Sequence, residues 1–323
     1  MKILITGGGG FLGFRLARTL LARGQLGGRA ITGMTLLDGA FPPALQDLQS
    51  EKVNAVTGDV SDAATIAAVC PPDTDAVFHL AAVVSGAAEA DFDLGLRVNL
   101  KGMELLLERM RQCRTPPRMV FTSSIAAFGG DLPPVLDDST IANPQTSYGA
   151  QKVIGEYLVT DYSRKGFLDG RSLRLPTVVV RAGKPNAAAS SFASAVIREP
   201  LNGVAYECPV APETGVWLLS PGKTVEAFIR AWELPPEAWG AQRWLNLPGI
   251  TATVAQMVEA MRKVAGDAAA KRVTYKGDAR IQAIVQTWPA HFRTPRALAL
   301  GFTADADMES VIRQYVADEN IKV

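Results

Sequence analysis

The chain predicts an α/β fold, a doubly wound parallel sheet followed by a smaller carboxyl-terminal lobe. Three observations carry this. Short runs rich in Ile, Val and Leu alternate with helical patterns through residues 1–182, the rhythm of successive βαβ units. The first run, Ile3-Leu4-Ile5, is apolar throughout rather than alternating, as strands covered on both faces are. A glycine cluster, Gly7 to Gly10, separates the first run from the first helical pattern, where a βα turn belongs.

Each element follows from its residues. Ile3 to Ile5 reads as the first strand. Leu12, Leu16, Leu20 and Leu21 then share one helical face, and Gly24 ends that helix. Ile31 to Leu37, Val53 to Thr57 and Asp75 to Leu80 read as three further strands. A helix is expected over Asn99 to Cys113, stopped by Pro116 and Pro117, then a strand over Arg118 to Ser123. A long helix from Ser147 to Lys165 and a strand from Ser172 to Val180 complete the series. Beyond Gly183 small residues and turn formers replace that rhythm. Residues 1–182 are therefore expected to form a nucleotide-binding domain. Residues 183–323 would form mainly a substrate-binding lobe over the sheet's carboxyl edge, with a soft boundary that the chain crosses more than once.

Composition narrows the function classes. With 48% hydrophobic and 20% charged residues, the chain can build a packed core. Its 33 basic residues are balanced by 32 acidic ones, so no field attracts nucleic acid or an anionic membrane. Cys70, Cys113 and Cys208 are scattered without metal-ligand spacing or a disulfide pattern, which suits a reducing compartment. No apolar stretch reaches the roughly 18 residues of a membrane span. The amino terminus lacks a signal-peptide pattern. A cytoplasmic protein without metal is expected.

The glycine turn is the first site with chemistry. Gly7, Gly10 and Gly13 are spaced three apart, and Phe11 and Leu12 open the helix behind them. Glycines there allow a tight turn and close backbone approach to a pyrophosphate, which the helix amino terminus attracts. Four glycines alone also fit a flexible turn; the strand–turn–helix setting is what points to a Rossmann-type dinucleotide site. Asp38 closes the second strand, where a carboxylate binds both adenosine ribose hydroxyls and repels a 2′-phosphate. NAD is thus expected over NADP. The stretch from Gly24 to Arg29 reads as a loop insertion that lengthens the spacing from Gly13 to Asp38.

Tyr148 and Lys152 lie four apart at the start of a helix and so share a face. A phenol is a poor base at neutral pH, but a neighbouring ammonium favours its phenolate. Tyr148 then suits acid/base work on a hydroxyl group. Ser124, at the carboxyl tip of a strand, can hydrogen-bond the same substrate oxygen. Singly, such residues are common in packing and turns; their order behind a nucleotide turn makes the combination specific.

Together these motifs, with Asp59-Val60, His79-Leu80-Ala81-Ala82, Asn99 and Phe128-Gly129, resemble the extended short-chain dehydrogenase/reductase family. Phe128 stands where members often carry Tyr. The resemblance implies that Asp59 and Val60 flank the adenine and that Leu80, Ala81 and Ala82 line the cofactor cleft. It also implies that Asn99 supports the catalytic helix and that Leu175 and Thr177 lie near the nicotinamide. His79 is then structural rather than a base, and a homodimer is expected.

Many members act on nucleotide sugars and carry an Arg-Asp pair in the second lobe, absent from Glu213 to Pro221 here. Segments 83–93, 174–181, 183–194 and 217–221 are instead similar to the D-erythronate dehydrogenase subgroup. That implies NAD-dependent oxidation of the C2 hydroxyl of a four-carbon sugar acid. Ser85, Ser124, Tyr148, Thr177, Asn186 and Ser190 would contact such a substrate, with Arg174, Arg181 and Arg198 as candidate partners of its carboxylate. Two alternatives stay open at this point. One is a nucleotide-sugar epimerase or dehydratase of the same family; the other is an NAD-binding regulator without catalysis.

Overall fold

The computed structural model describes residues 1–48, 50–183 and 190–323, with Ala283 described only by its backbone. Seven strands form the large sheet: β1 (Lys2–Thr6), β2 (Gly33–Asp38), β3 (Val53–Thr57), β4 (Ala76–His79), β5 (Arg118–Ser124), β6 (Asp169–Leu175) and β7 (Trp244–Asn246). Their spatial order is β7-β6-β5-β4-β1-β2-β3. The order reverses beside β1, which pairs in parallel with both β2 and β4, while β2–β3 and β4–β5 are parallel as well. This is the expected α/β architecture of doubly wound, Rossmann type. In such sheets ligands bind at the strand tips beside the reversal.

Register brings those tips together. Thr6 stands opposite Leu37 on one side and His79 on the other, and Asp38 opposite Thr57. Strands and helices seal a core that includes Leu4, Leu37, Val77, Phe121 and Leu106. The first helix, Phe11–Arg23, buries Leu16, Ala17 and Leu20 and ends at Gly24, whose φ of 64° is left-handed.

Several boundaries differ from the expected ones, for physical reasons. The insertion after Gly24 is a two-stranded ribbon, Gln25–Leu26 paired with Arg29–Ala30. Gly27 and Gly28 both have positive φ, which a two-residue hairpin of this hand requires. Helical structure begins at Phe92, capped by Asp91, rather than at Asn99. It passes through a π-helical turn, Leu96–Lys101, before the α-helix Gly102–Met110. The expected strand over Ser172 to Val180 is two strands. Pro176 lacks an N–H and separates β6 from Thr177–Val178, which pairs with Gly215–Leu219 in another sheet.

The chain divides into two compact units, neither of them a single stretch. The first comprises residues 1–124, 146–174 and 225–245; the second comprises 125–145, 175–224 and 246–323. The sequence placed one soft boundary near residue 182; here the chain changes unit after Ser124, Gln145, Arg174, Thr224 and Leu245. In the second unit a three-stranded sheet, with Gly215–Leu219 at its centre, packs with helices Ser191–Leu201, Val254–Ala265 and Met308–Asp318 around a core including Val196, Leu218, Met257 and Ile312. A smaller aromatic cluster there stacks Trp217 on Phe292, with Phe128 against the Phe292 edge. No helix among the described residues is long and apolar enough to cross a membrane. The three cysteines are free thiols, and no metal-binding cluster is found among the described residues.

Candidate active site

In the first unit a cleft of about 620 Å³ opens where the tips of β1, β2, β3 and β4 meet. That volume lies within the range of small-molecule and cofactor sites. Its floor is the glycine turn. Gly7 has a φ of +73°, and a Cβ there would stand 2.7 Å from the amide nitrogen of Ala81. A Cβ on Gly13 would collide with the carbonyl oxygen of Gly7. Only glycine lets the turn, the β4 tip and the helix approach this closely. Phe11, Leu12 and Gly13 form the first turn of the helix, whose amide donors have no helical partner.

The cleft walls hold the other expected residues. Asp38 lies at the β2 tip, and its Oδ2 accepts the N–H groups of Gly9 and Gly10 at 3.0 and 3.1 Å. Asp59, Val60, Leu80, Ala81 and Ala82 all line the cavity, and Val83 and Val98 join them. The hydroxyl and amide of Ser61, with the Arg97 guanidinium, hold the Asp59 carboxyl below the usual carboxylate range. A backbone cradle that side chains would fill, beside an acidic strand tip, fits a dinucleotide carrying free ribose hydroxyls.

Tyr148 and Lys152 occupy the first turns of helix Ser147–Arg164. Thr146 caps it by accepting the Gly149 N–H at 3.1 Å, and Glu89 accepts the Ser147 N–H at 3.0 Å. The Lys152 ammonium lies 5.4 Å from the Tyr148 ring centre and 4.8 Å from that of Phe121. Lys152 is buried, and burial pushes its amine down to about 7, against the opposing pull of the Glu156 carboxylate. Ser124 ends β5 and is half-buried. His79 is wholly buried, stacks on Phe121 and shares a 2.6 Å hydrogen bond with Thr6 Oγ1. Burial, aided by the Lys152 charge, pushes it down to about 3, so it is a neutral structural histidine.

Glu156, Ser123 and Gln151 are parts of this arrangement that sequence reasoning passed over. Glu156 is buried one helical turn beyond Lys152; it takes two hydrogen bonds from Arg174, at 2.8 and 2.6 Å, and one from Ser123 at 2.5 Å. It thereby ties helix Ser147–Arg164 to β5 and β6. The repeated spacing of four from Tyr148 to Lys152 to Glu156 was the available signal, but a Lys–Glu pair at that spacing also reads as a solvated helix face.

The remaining expected residues are placed as follows. Asn99 is buried in the π-helical turn and bonds both backbone groups of Val83. Ser85 opens helix Ser85–Ala90 in the first unit. Leu175 and Thr177 belong to the second unit. Ser190 is there too, accepting from Arg181 at 2.8 Å. Asn186 lies outside the described residues. Of the three arginines, Arg174 is committed to Glu156, and Arg198 to Glu199 and the Arg181 carbonyl.

Comparison with known proteins adds the following. The model of a family described as the NAD dependent epimerase/dehydratase family matches residues 3–217. A protein of Cupriavidus necator named D-erythronate dehydrogenase is 58% identical, with 99% of each chain covered. A Haemophilus influenzae protein of the same name is 42% identical, covering 98% of this chain and 99% of its own. Among solved structures, one described as the nucleoside-diphosphate-sugar epimerase from Agrobacterium tumefaciens superposes with a TM-score of 0.91. It is 41% identical and covers 99% of this chain and 94% of its own.

Proposed function

The chain belongs to the NAD dependent epimerase/dehydratase family, and from that premise we propose that it oxidises the C2 hydroxyl of a small sugar acid, D-erythronate, to the 2-keto acid. The observation that carries this reading is the 58% identity, end to end, to a protein named D-erythronate dehydrogenase. The cofactor is NAD, which when bound supplies the acceptor for the hydride leaving C2.

The chain's own groups manage the proton and the orientation. Tyr148 takes the hydroxyl proton on its phenolic oxygen as the C2–H bond breaks, leaving a carbonyl. Lys152 places a positive charge beside that phenol and stabilises its anion. Ser124 donates to the substrate oxygen and holds it toward Tyr148. Lys152 is 3% exposed with its ammonium over the Phe121 ring, so its charge acts through a medium of low polarity. Ser85, Thr177, Asn186 and Ser190 are the proposed partners of the other hydroxyls and the carboxylate. A homodimer is the expected solution state, which sedimentation measures.

The description of the Agrobacterium tumefaciens structure favours a second reading, epimerisation of a nucleotide sugar. An epimerase returns the hydride within one turnover and releases no net NADH; a dehydrogenase accumulates it. Four- to six-carbon aldonates, UDP-glucose and UDP-galactose are therefore each incubated with NAD, scoring NADH and sugar epimerisation. D-Erythronate should yield NADH. Epimerised nucleotide sugar with no activity on any aldonate would replace the proposed function with the second reading.

A further inference from the structure

Gln151 is a buried polar side chain that the mechanism above does not use. It precedes Lys152 on the catalytic helix and is 3% exposed. Its Nε2 is buried with no hydrogen-bond partner among the described residues. An orphaned amide is a cost that a methionine of similar length would avoid. Packing alone therefore does not account for a glutamine here.

Its other end has a specific partner. Gln151 Oε1 accepts from Asn99 Nδ2 at 2.7 Å. Asn99 is buried too, and the rest of its amide is spent on one residue: its Oδ1 accepts the Val83 N–H at 2.7 Å, and its Nδ2 donates to the Val83 carbonyl at 3.1 Å. Val83 belongs to the cleft wall that continues from β4 through Leu80, Ala81 and Ala82. The backbone around Asn99 is a π-helical turn inside an otherwise α-helical run, a local widening that often marks functional positions. Gly95 completes the slot: a Cβ there would stand 2.9 Å from Gln151 Nε2 and 3.1 Å from the Ala88 Cβ.

We propose that Gln151 is a positioning residue: through Asn99 it pins the cofactor-cleft wall at Val83 to the helix that carries Tyr148 and Lys152. A chain of buried hydrogen bonds fixes the spacing of the two elements more tightly than apolar contact, because each bond tolerates little sliding. The inference builds on the dehydrogenase reading, but its first consequence, on NAD binding, does not depend on the substrate.

The test uses the full chain. Gln151→Met keeps the volume and deletes the acceptor. The expected result is an NAD Kd raised about fivefold and a kcat for D-erythronate lowered about tenfold, on the scale that small misplacements cost. The melting temperature should fall by no more than about 4 °C, the scale of one lost hydrogen bond. Gly95→Ala displaces the same amide without removing it and should shift the NAD Kd in the same direction, which keeps the inference testable if Gln151→Met does not fold. In the double variant Asn99→Ala/Gln151→Met the losses should not exceed those of Asn99→Ala alone. Unchanged Kd and kcat, losses that track only the fraction of folded protein, or fully additive losses would overturn the proposal. If wild-type protein binds NAD but oxidises no aldonate, the function reading fails and the Kd comparison still decides the role of Gln151.

Discussion

Replacing Lys152 with methionine should stabilise the NAD-free protein while abolishing turnover, and the gain should depend on pH. The amine is buried against Phe121 and the Tyr148 ring, and its value falls from 10.5 to about 7. Because the folded value is the lower one, the protonated amine is what burial penalises. The penalty is complete below pH 7 and declines as pH rises toward 10.5, since the unfolded chain holds the proton that the folded chain has released. The full shift corresponds to at most about 5 kcal/mol at 1.36 kcal/mol per unit. Linkage leaves about 3 kcal/mol of it at pH 8 and about 2 kcal/mol at pH 9. Urea melts of wild type and Lys152→Met at pH 6, 7, 8 and 9 would read this directly. The variant should be the more stable at pH 6, with its advantage shrinking by roughly 3 kcal/mol by pH 9. Groups outside this site titrate alike in both proteins and cancel in the difference. A variant less stable than wild type throughout, or a difference flat with pH, would refute the picture of a charge held in a dry pocket at the expense of stability.

Other outcomes follow from the same geometry. Tyr148→Phe keeps the ring and removes the phenolic oxygen proposed as acid/base, so kcat should fall by roughly 10²–10⁴ while calorimetric NAD affinity stays near wild type; near-normal turnover would remove Tyr148 from that proposed role. Asp38→Ala should narrow the preference for NAD over NADP in kcat/KM, and equal use of both cofactors by wild type would contradict the reading of the β2 tip. Either Glu156→Leu or Arg174→Met alone strands a buried charge and should cost about 3–5 kcal/mol in denaturant melts. The pair made together should recover most of that loss, and strictly additive costs would show that the two do not act as a unit.

How much of this was legible in the sequence depends on how local the physics is. The glycine turn could be read because its requirement is met within a few residues: a positive φ at Gly7 and a helix that starts directly behind. Strand Val53–Thr57 has the expected bounds. The placement of Tyr148 and Lys152 at a helix start and of Ser124 at a strand end was readable from helical spacing and from the strand that precedes them.

The structure decided what depends on partners distant in the chain. Asp169, Gly170 and Arg171 look like turn residues, yet they begin β6. The buried Arg171 is paired by Asp169 and by the Ala231 and Trp232 carbonyls, more than fifty residues away. Residues 225–245 return to the first unit for the same kind of reason, as no local pattern announces where a later helix will pack. Glu156 shows the limit at the site itself. Its spacing from Lys152 is the same on a solvated face or a buried one, and only Arg174 and Ser123, brought up by neighbouring strands, make it an interior carboxylate. Local conformational preference is written in neighbouring residues and can be read there. The burial that turns a Lys–Glu spacing into a dry ionic cluster arises only when the strands close around it.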